Sequence, residues 1–526
     1  MTTDLLGDAP SRAARMRPRY RAAGVWSERP LDLVRFTAAR YPTRPALIAR
    51  GVELSYSALD ERVDRVCQTL IQAGVAPGTP VVVVVGNDVD SVVAIHAVER
   101  VDAVVLLVPR SAGAAQVADI VDRTGAAFGL APNWPETAEP NLAARCIWIT
   151  VPAATNPAAT NPAPAPAHSQ RPADEPSFVL FTSGTTAKPK GVVHSLSTLQ
   201  KASANYIAAA GLGARDRIFL ISPLASVTGV VQALFIGPML AVPVVLEDRW
   251  DPAATCELLL ATGATWYGGP DRLLDRLLDE AVARDRAVPL RAVYLGGTML
   301  DRRIVERIED EFGIVVMRAY GSSEVPVSTS GRRTDTLRAR HADDGMPLAD
   351  VEVRLGSAGD PAECCIRGPH TFLGYTDAEA DTAAFEGEWF RTGDIAEVAD
   401  GHVRIVGRIK DIVIRNGMKI PAAEVEEAVA RIAGVRECAA YSVPDATTGE
   451  RLAVAVVLEG STELSLQEVT ATLVAAGLPK YKLPEELVFW DRPLPVNANG
   501  KVERKTLHQN ANGRPRAVAD RLAATP

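Results

Sequence analysis

Between Phe181 and Ser195 the chain reads FTSGTTAKPKGVVHS, and its residue types suit the handling of a polyphosphate. Thr182, Ser183, Thr185 and Thr186 place hydroxyls around Gly184, and Lys190 adds a cation just before Gly191. Small residues let backbone N–H groups approach phosphate oxygens closely, hydroxyls add donors, and a fixed ammonium balances charge. The stretch is not the GxxxxGK[ST] loop of many nucleotide-binding proteins. Taken alone, a run of Gly, Ser and Thr is an ordinary surface turn. Its flanks give it a frame: Phe178-Val-Leu-Phe181 and Val192-Val193 are short apolar runs, which predicts a hairpin with the polar stretch at its tip.

Two more turns of this kind follow apolar runs. Leu295-Gly296-Gly297-Thr298 comes after 292–295, and Ala319-Tyr320-Gly321-Ser322-Ser323-Glu324 after 313–317. Ligands of open α/β sheets lie beyond the carboxyl ends of strands, where both turns would fall. Glu324 offers the hard oxygen that a phosphate-bound Mg2+ takes from a protein, although an isolated Glu in such a turn is ordinarily just solvated. Farther on, charge and glycine gather again around Asp394, Arg408 and Lys410, Gly417 and Lys419, Lys480 and Lys482, and Lys501. Lysine is the minority cation among the 56 Lys and Arg residues, and most lysines fall in these stretches. That marks them as places where a compact ammonium is wanted rather than a planar fork.

The remaining sequence supplies the elements that must position these residues. Residues 31–41 have helical spacing, 46–49 with 53–56 reads as a hairpin, and 59–74 is an amphipathic helix. Val81–Val85 and 103–108 are apolar strands around a helix near 91–99, so the chain predicts an α/β domain with a mostly parallel sheet. A helix over 196–210 and a strand over 217–221 follow the phosphate hairpin. Residues 151–176 are a Pro/Ala-rich linker in which AATNPA repeats and His168 is a bystander. The longest apolar run, 229–246, is interrupted by Gln232, Gly237-Pro238 and Pro243, which reads as a buried helix and a strand, not a membrane span. Strand patterns at 437–443 and 453–458 with a helix over 465–476 give a small α+β module, and the tail from about 508 reads as frayed.

The totals set outer limits. A chain of 526 residues with 47% hydrophobic and 23% charged residues has room for two or more domains with cores. Its net charge of −8 argues against a general nucleic-acid binder. The six cysteines show neither a CxxC pair nor zinc spacing, which points to buried thiols in a reducing compartment. No apolar signal segment is readable near residue 1, so the expected location is cytoplasmic.

The whole string 181–195 resembles the phosphate-loop signature of the adenylate-forming superfamily, which includes acyl-CoA synthetases, aryl-acid AMP ligases, nonribosomal adenylation domains and luciferases. The resemblance runs from about residue 18 to 507 with motifs in the expected order. The turn 319–324 is similar to the superfamily's YGxTE, with Ser323 in place of Thr. It implies ATP contacts from Thr182, Ser183, Gly184, Thr185, Thr186, Lys190, Gly297, Thr298, Tyr320, Gly321, Ser322 and Ser323. Ser323 would keep the hydroxyl for the α-phosphate and the substrate carboxylate, and Glu324 would bind Mg2+. Asp394 resembles the carboxylate that accepts both ribose hydroxyls, Arg408 the second ribose contact, and Lys410 the hinge. On this reading the N-terminal AMP-binding domain covers 1–409 and a mobile C-terminal domain 410–526.

In the C-terminal part, Gly417 and Lys419 resemble the loop that faces the site during thioester formation, and Lys482 a contact to CoA phosphates. Lys501 sits where the family keeps its adenylation lysine, after a glycine that permits a left-handed turn. Acyl-CoA ligases usually carry PLxHxxG as a wall of the acyl pocket. Here the segment 223–229 has Ser226 at the His position, and Ser226, Gly229 and Gly296 are the implied pocket residues. The segments around Trp250, 407–417 and 480–485 resemble medium-chain and cyclohexanecarboxylate CoA ligases, whereas RYRAAGVW near residue 19 resembles stand-alone aryl-acid ligases. The expectation is therefore an AMP-forming ligase using ATP, Mg2+ and CoA on a carboxylic acid with an uncharged acyl group. A ligase that loads a carrier-protein pantetheine is the alternative, and a nucleotide-binding pseudoenzyme is the reading from another class.

Overall fold

The computed structural model describes residues 5–134, 140–151, 171–182, 189–295, 302–460, 462–496 and 502–523. They form two compact units. Described residues up to 295, with 302–353 and 366–390, make up the first, and 354–365 with the described residues from 391 to 523 the second. The second unit thus takes in 391–408 as well as the residues beyond 409.

The first unit is built on two mixed, mostly parallel sheets. In one, strands Pro80–Val85 and Val104–Pro109 run parallel at its centre, with Phe128–Leu130 and Ile147–Ile149 beyond Pro80–Val85. On the other side Val104–Pro109 pairs in parallel with Pro176–Thr182, which turns back antiparallel to Lys190–Ser195. The central strands are near-continuous Val and Leu because both of their faces are covered: Val81 to Val84 and Val105 to Val108 have no exposed surface. The other sheet has nine strands among the described residues, with Val244–Leu246, Ile218–Leu220, Trp266–Gly269, Ala292–Leu295 and Val315–Tyr320 parallel in that order. The strand ends Leu295 and Tyr320 therefore point the same way.

Helix starts follow local chemistry. Ser55 caps Tyr56–Gln72, Asp88 caps Val89–Arg100, and Ser195 with Thr198 forms a reciprocal capping box at Leu196–Ala210. The apolar run at 229–246 is a helical stretch over Val227–Leu240, with a π turn at Val231–Ile236, followed by strand Val244–Leu246. Among the described residues no helix is long and apolar enough to cross a membrane. All six cysteines are free thiols, five of them buried.

Two features lie outside the sequence-based expectations. The N-terminal residues form a helix, Ala9–Ala22. Its Arg17 and Arg21 both bond the fully buried carboxylate of Asp174, which carries no exposed surface. The expected fraying from about 508 is also overturned. Helix Arg504–Asn510 buries Leu507, and strand Arg516–Val518 pairs antiparallel with Glu486–Phe489. Edge amides of that strand and the Arg516–Glu486 ion pair at 3.0 Å hold this segment, which carries too little apolar periodicity to be read from sequence.

The second unit contains an α+β module: helices Ala422–Ala430 and Leu466–Ala475 pack with strands Ile412–Arg415, Met418–Pro421, Val435–Asp445, Gly449–Leu458 and Glu486–Phe489. The same unit holds the antiparallel pair 391–399 and His402–Arg408.

Candidate active site

In the first unit, the strand pair predicted around the phosphate stretch is present, with Phe181 opposite Gly191 and Thr182 opposite Lys190. Ser183, Gly184, Thr185 and Thr186 lie outside the described residues, as do Gly296, Gly297, Thr298 and Lys501. What the structure does place is the base of the hairpin and the loop after strand Val315–Tyr320.

That loop folds on itself through Ser322 N–H to Val325 O at 3.2 Å and Ser328 N–H to Tyr320 O at 2.8 Å. Gly321 is its first residue after the strand. Val327 has φ of 42°, a rare conformation for a β-branched side chain, and such strain collects at functional sites. Glu324 projects from this loop with both carboxylate oxygens engaged. Ser322 Oγ donates to Oε2 at 2.7 Å and Tyr375 Oη to Oε1 at 2.6 Å. Burial above all, and then the Glu324 charge, raise the Tyr375 phenol far above its ordinary value, so it is a donor at every working pH.

Two buried histidines brace the same loop from outside. His194, from strand Lys190–Ser195, bonds the Ser323 carbonyl through Nε2 at 2.7 Å and Thr198 Oγ1 through Nδ1 at 3.0 Å. A carbonyl only accepts, so Nε2 carries the hydrogen and Nδ1 accepts from the threonine. His370 reaches Ser328 Oγ through Nε2 at 2.8 Å, and Ser328 in turn donates to Val325 O at 3.0 Å. Burial pushes His194 down to about 4 and His370 down to about 3, so both rings are neutral.

These contacts bring Ser322, Ser323 and Glu324 together with the strand that bears Lys190, whose ammonium lies 5.3 Å from the Tyr375 ring centroid. A divalent cation fits this donor set. Each Glu324 oxygen accepts one hydrogen bond and retains a second lone pair. A hard cation bound to phosphates takes one or two protein carboxylates and the rest of its ligands from phosphates and water.

The acyl-pocket residues are partly explained by local structure. Ser226 caps the short helix Val227–Val230, accepting from Gly229 N at 3.1 Å and donating to Pro223 O at 2.6 Å. At Gly229 a Cβ would come within 2.2 Å of Pro223 O, so close backbone packing alone requires glycine there.

In the second unit, Asp394 and Arg408 are cross-strand partners in register, with Nε 2.9 Å from Oδ1. Asp394 is 4% exposed, while the Arg408 side chain is 42% exposed. Lys410 lies in the 3-10 turn Ile409–Asp411, and burial, then the nearby Arg408 charge, lowers its pKa. Asn416 and Gly417, with φ of 51° and 77°, form the two-residue tip of the hairpin Ile412–Arg415/Met418–Pro421. Lys419 pairs with Asp360 at 2.5 Å and Lys482 with Glu424 at 2.6 Å, so both lysines already hold carboxylates here.

Sequence reasoning did not assign His194, His370 or Tyr375. The available signals were a histidine inside an apolar strand and a Gly-Tyr dipeptide between two motifs. Their partners stand 129, 42 and 51 residues away, and spacing carries no trace of such contacts.

Comparison with known proteins agrees with this architecture. Residues 34–376 match the AMP-binding enzyme family and residues 424–501 the AMP-binding enzyme C-terminal domain. The chain belongs to this family, the adenylate-forming superfamily. It is 31% identical over 493 residues to 3-[(3aS,4S,7aS)-7a-methyl-1,5-dioxo-octahydro-1H-inden-4-yl]propanoyl:CoA ligase of Mycobacterium tuberculosis, an alignment covering 89% of this chain and 96% of the relative. It is 27% identical to the medium-chain fatty-acid–CoA ligase of Escherichia coli, covering 94% and 92% respectively. The fold is similar to that of O-succinylbenzoate Coenzyme A Synthetase (MenE) from Bacillus subtilis, solved in complex with AMP. The TM-score is 0.80 at 24% identity, over 91% of this chain and 98% of that one.

Proposed function

We infer that the chain is an AMP-forming acid–CoA ligase. The observation that carries the inference is family membership over 34–376 and 424–501, together with 31% identity to a CoA ligase over 89% of the chain. In the first half-reaction a carboxylate oxygen attacks the α-phosphorus of ATP, the bond to the bridging oxygen breaks, and pyrophosphate leaves. In the second, the CoA sulfur attacks the acyl carbon of the adenylate, AMP departs, and the thiol proton passes to solvent.

The residue roles follow from chemistry and position. The 182–186 stretch and Lys190 bind phosphate oxygens. Tyr320, Gly321, Ser322 and Ser323, with Gly297 and Thr298, line the nucleotide and the reacting carboxylate. Glu324 would hold Mg2+, which would supply positive charge to offset that of the leaving pyrophosphate. Asp394 and Arg408 bind the ribose, an assignment supported by their 2.9 Å pairing and the exposure of Arg408. Lys501 offsets charge in the first transition state, mainly by positioning and electrostatics. The C-terminal domain, beginning near 410, pivots at Lys410 and brings Gly417, Lys419 and Lys482 toward CoA. For Lys419 and Lys482 to meet CoA phosphates, their bonds to Asp360 and Glu424 must open.

The acyl group of the acid is uncharged apart from its reacting carboxylate. Segment 222–229 has no ionisable side chain, and the Ser226 hydroxyl is committed to helix capping. The test is AMP and pyrophosphate release with a panel of aliphatic, alicyclic and aromatic acids, with and without CoA. Acyl-CoA formed only with CoA present supports the reading, and Lys501→Ala should abolish pyrophosphate release while ATP still binds. Adenylate that accumulates despite CoA would instead make a carrier-protein pantetheine the acceptor. Wild-type activity in Lys501→Ala would remove that residue from the mechanism.

A further inference from the structure

We propose that Tyr375 is a positioning residue that fixes the orientation of the Glu324 carboxylate beside the strand that carries Lys190, and that Arg12 of the N-terminal helix holds it in place. The proposal rests on Glu324 as the Mg2+ ligand of the ligase reaction.

Tyr375 sits on a two-residue strand, Gly374–Tyr375, whose only neighbour in the sheet among the described residues is the strand that carries Lys190, with Tyr375 opposite Val192. Its hydroxyl meets Glu324 Oε1 at 2.6 Å, while Ser322 meets Oε2 at 2.7 Å. The carboxylate is thus fixed in rotation as well as position, because each oxygen has its own donor. The same ring lies 5.3 Å from the Lys190 ammonium, so one side chain touches both the hairpin cation and the metal carboxylate.

A two-residue strand cannot fix a tyrosine by ladder bonds alone. The extra restraint comes from more than 360 residues away in sequence. Arg12 bonds Asp381 at 2.9 Å and 3.1 Å and the Leu373 carbonyl at 2.5 Å, and Asp381 Oδ1 accepts from Tyr375 N–H at 2.9 Å. Arg12 also lies 3.8 Å over the Phe385 ring, which stacks on Phe372, and Phe372 packs edge-on against Tyr375 at 4.8 Å. Gly374 fits this cluster closely: its φ of 141° is one that side chains rarely adopt, and a Cβ there would lie 2.5 Å from Arg12 Nη1 and 2.6 Å from Asp381 Oδ1. Such an arrangement of interlocking contacts is what holding one hydroxyl to a few tenths of an ångström requires.

Tyr375→Phe separates orientation from packing, since it keeps the ring, the Lys190 contact and the aromatic stack. ATP binding to the full chain is measured by calorimetry in saturating Mg2+ and in EDTA, with pyrophosphate release followed against free Mg2+. The variant should unfold cooperatively within a few degrees of the wild-type temperature and bind ATP in EDTA like wild type. It should need about tenfold more Mg2+ for half-maximal activity, the size expected for losing one hydrogen bond to a charged group, with kcat recovered at high Mg2+. Arg12→Met should shift the Mg2+ dependence in the same direction. Tyr375→Phe combined with Glu324→Gln should be no worse than Glu324→Gln alone. An unchanged Mg2+ dependence in Tyr375→Phe, or equal loss of affinity in EDTA, overturns the proposal. If Glu324→Gln also leaves the Mg2+ dependence unchanged, the metal assignment of Glu324 has failed and the role of Tyr375 falls with it.

Discussion

The two buried histidines make a prediction about acid stability whose size follows from the structure. His194 and His370 are neutral in the fold, held at about 4 and about 3, whereas in the unfolded chain each titrates near its ordinary 6.5. Below 6.5 the unfolded chain gains a proton at each ring that the native state refuses, so the equilibrium shifts toward unfolding as pH falls. The loss begins near pH 6.5 and, for His194, ends near 4; above 7 neither ring contributes to the pH dependence. Each pH unit inside that window is worth about 1.4 kcal/mol per histidine, so the two together remove about 4 kcal/mol between pH 7.5 and 5. That is a sizeable part of the roughly 5–15 kcal/mol that holds a domain together.

The assay is chemical denaturation followed by tryptophan fluorescence at half-unit steps from pH 7.5 to 5, for wild type, His194→Gln and His370→Gln. Each variant also loses a hydrogen bond at neutral pH, so the informative quantity is the slope with pH, not the absolute stability. Carboxylates contribute equally to all three proteins and drop out of the comparison. Each substitution should remove about half of the histidine-dependent slope. Identical slopes in wild type and both variants would refute the assignment of two neutral, desolvated imidazoles behind the 320–328 loop.

Two further outcomes follow from the second unit. Arg504 holds the largely buried Glu426 carboxylate through two bonds of 2.8 Å and 3.0 Å, and also reaches Asp411 at 3.3 Å. Arg504→Met should destabilise this unit by about 3 kcal/mol because it leaves a buried charge unpaired, and Glu426→Gln in the same chain should recover part of the loss in a thermal melt. Gly417→Ala meets no atom within 4 Å but forces a side chain into φ of 77°, so it should cost the hairpin about 1 kcal/mol. If Gly417 faces CoA, single-turnover assays of that variant should show slowed thioester formation with adenylation unchanged.

The sequence by itself determined what depends on neighbours along the chain. The apolar runs at Val81–Val85 and Val104–Pro109 had to be doubly covered strands, because five or six consecutive branched side chains have no solvent face to offer. Asn416-Gly417 had to be a turn, since glycine and asparagine bear positive φ at little cost. The polar stretches from Thr182 to Lys501 stand out for the same reason: glycine, hydroxyl and lysine side chains gathered within a few positions are written in consecutive letters. Only the tertiary structure decided which distant groups meet. Nothing in spacing could show that His194 holds the Ser323 carbonyl, that Tyr375 and Ser322 share the Glu324 carboxylate, or that Arg12 restrains Tyr375 through Asp381. Nor could it show that Lys419 and Lys482 are paired with Asp360 and Glu424, or that 516–518 completes a sheet. Hydrogen bonds and ion pairs of this kind act over about 3 Å in space and are indifferent to separation along the chain, so they exist only once the sheets have brought their strand ends together.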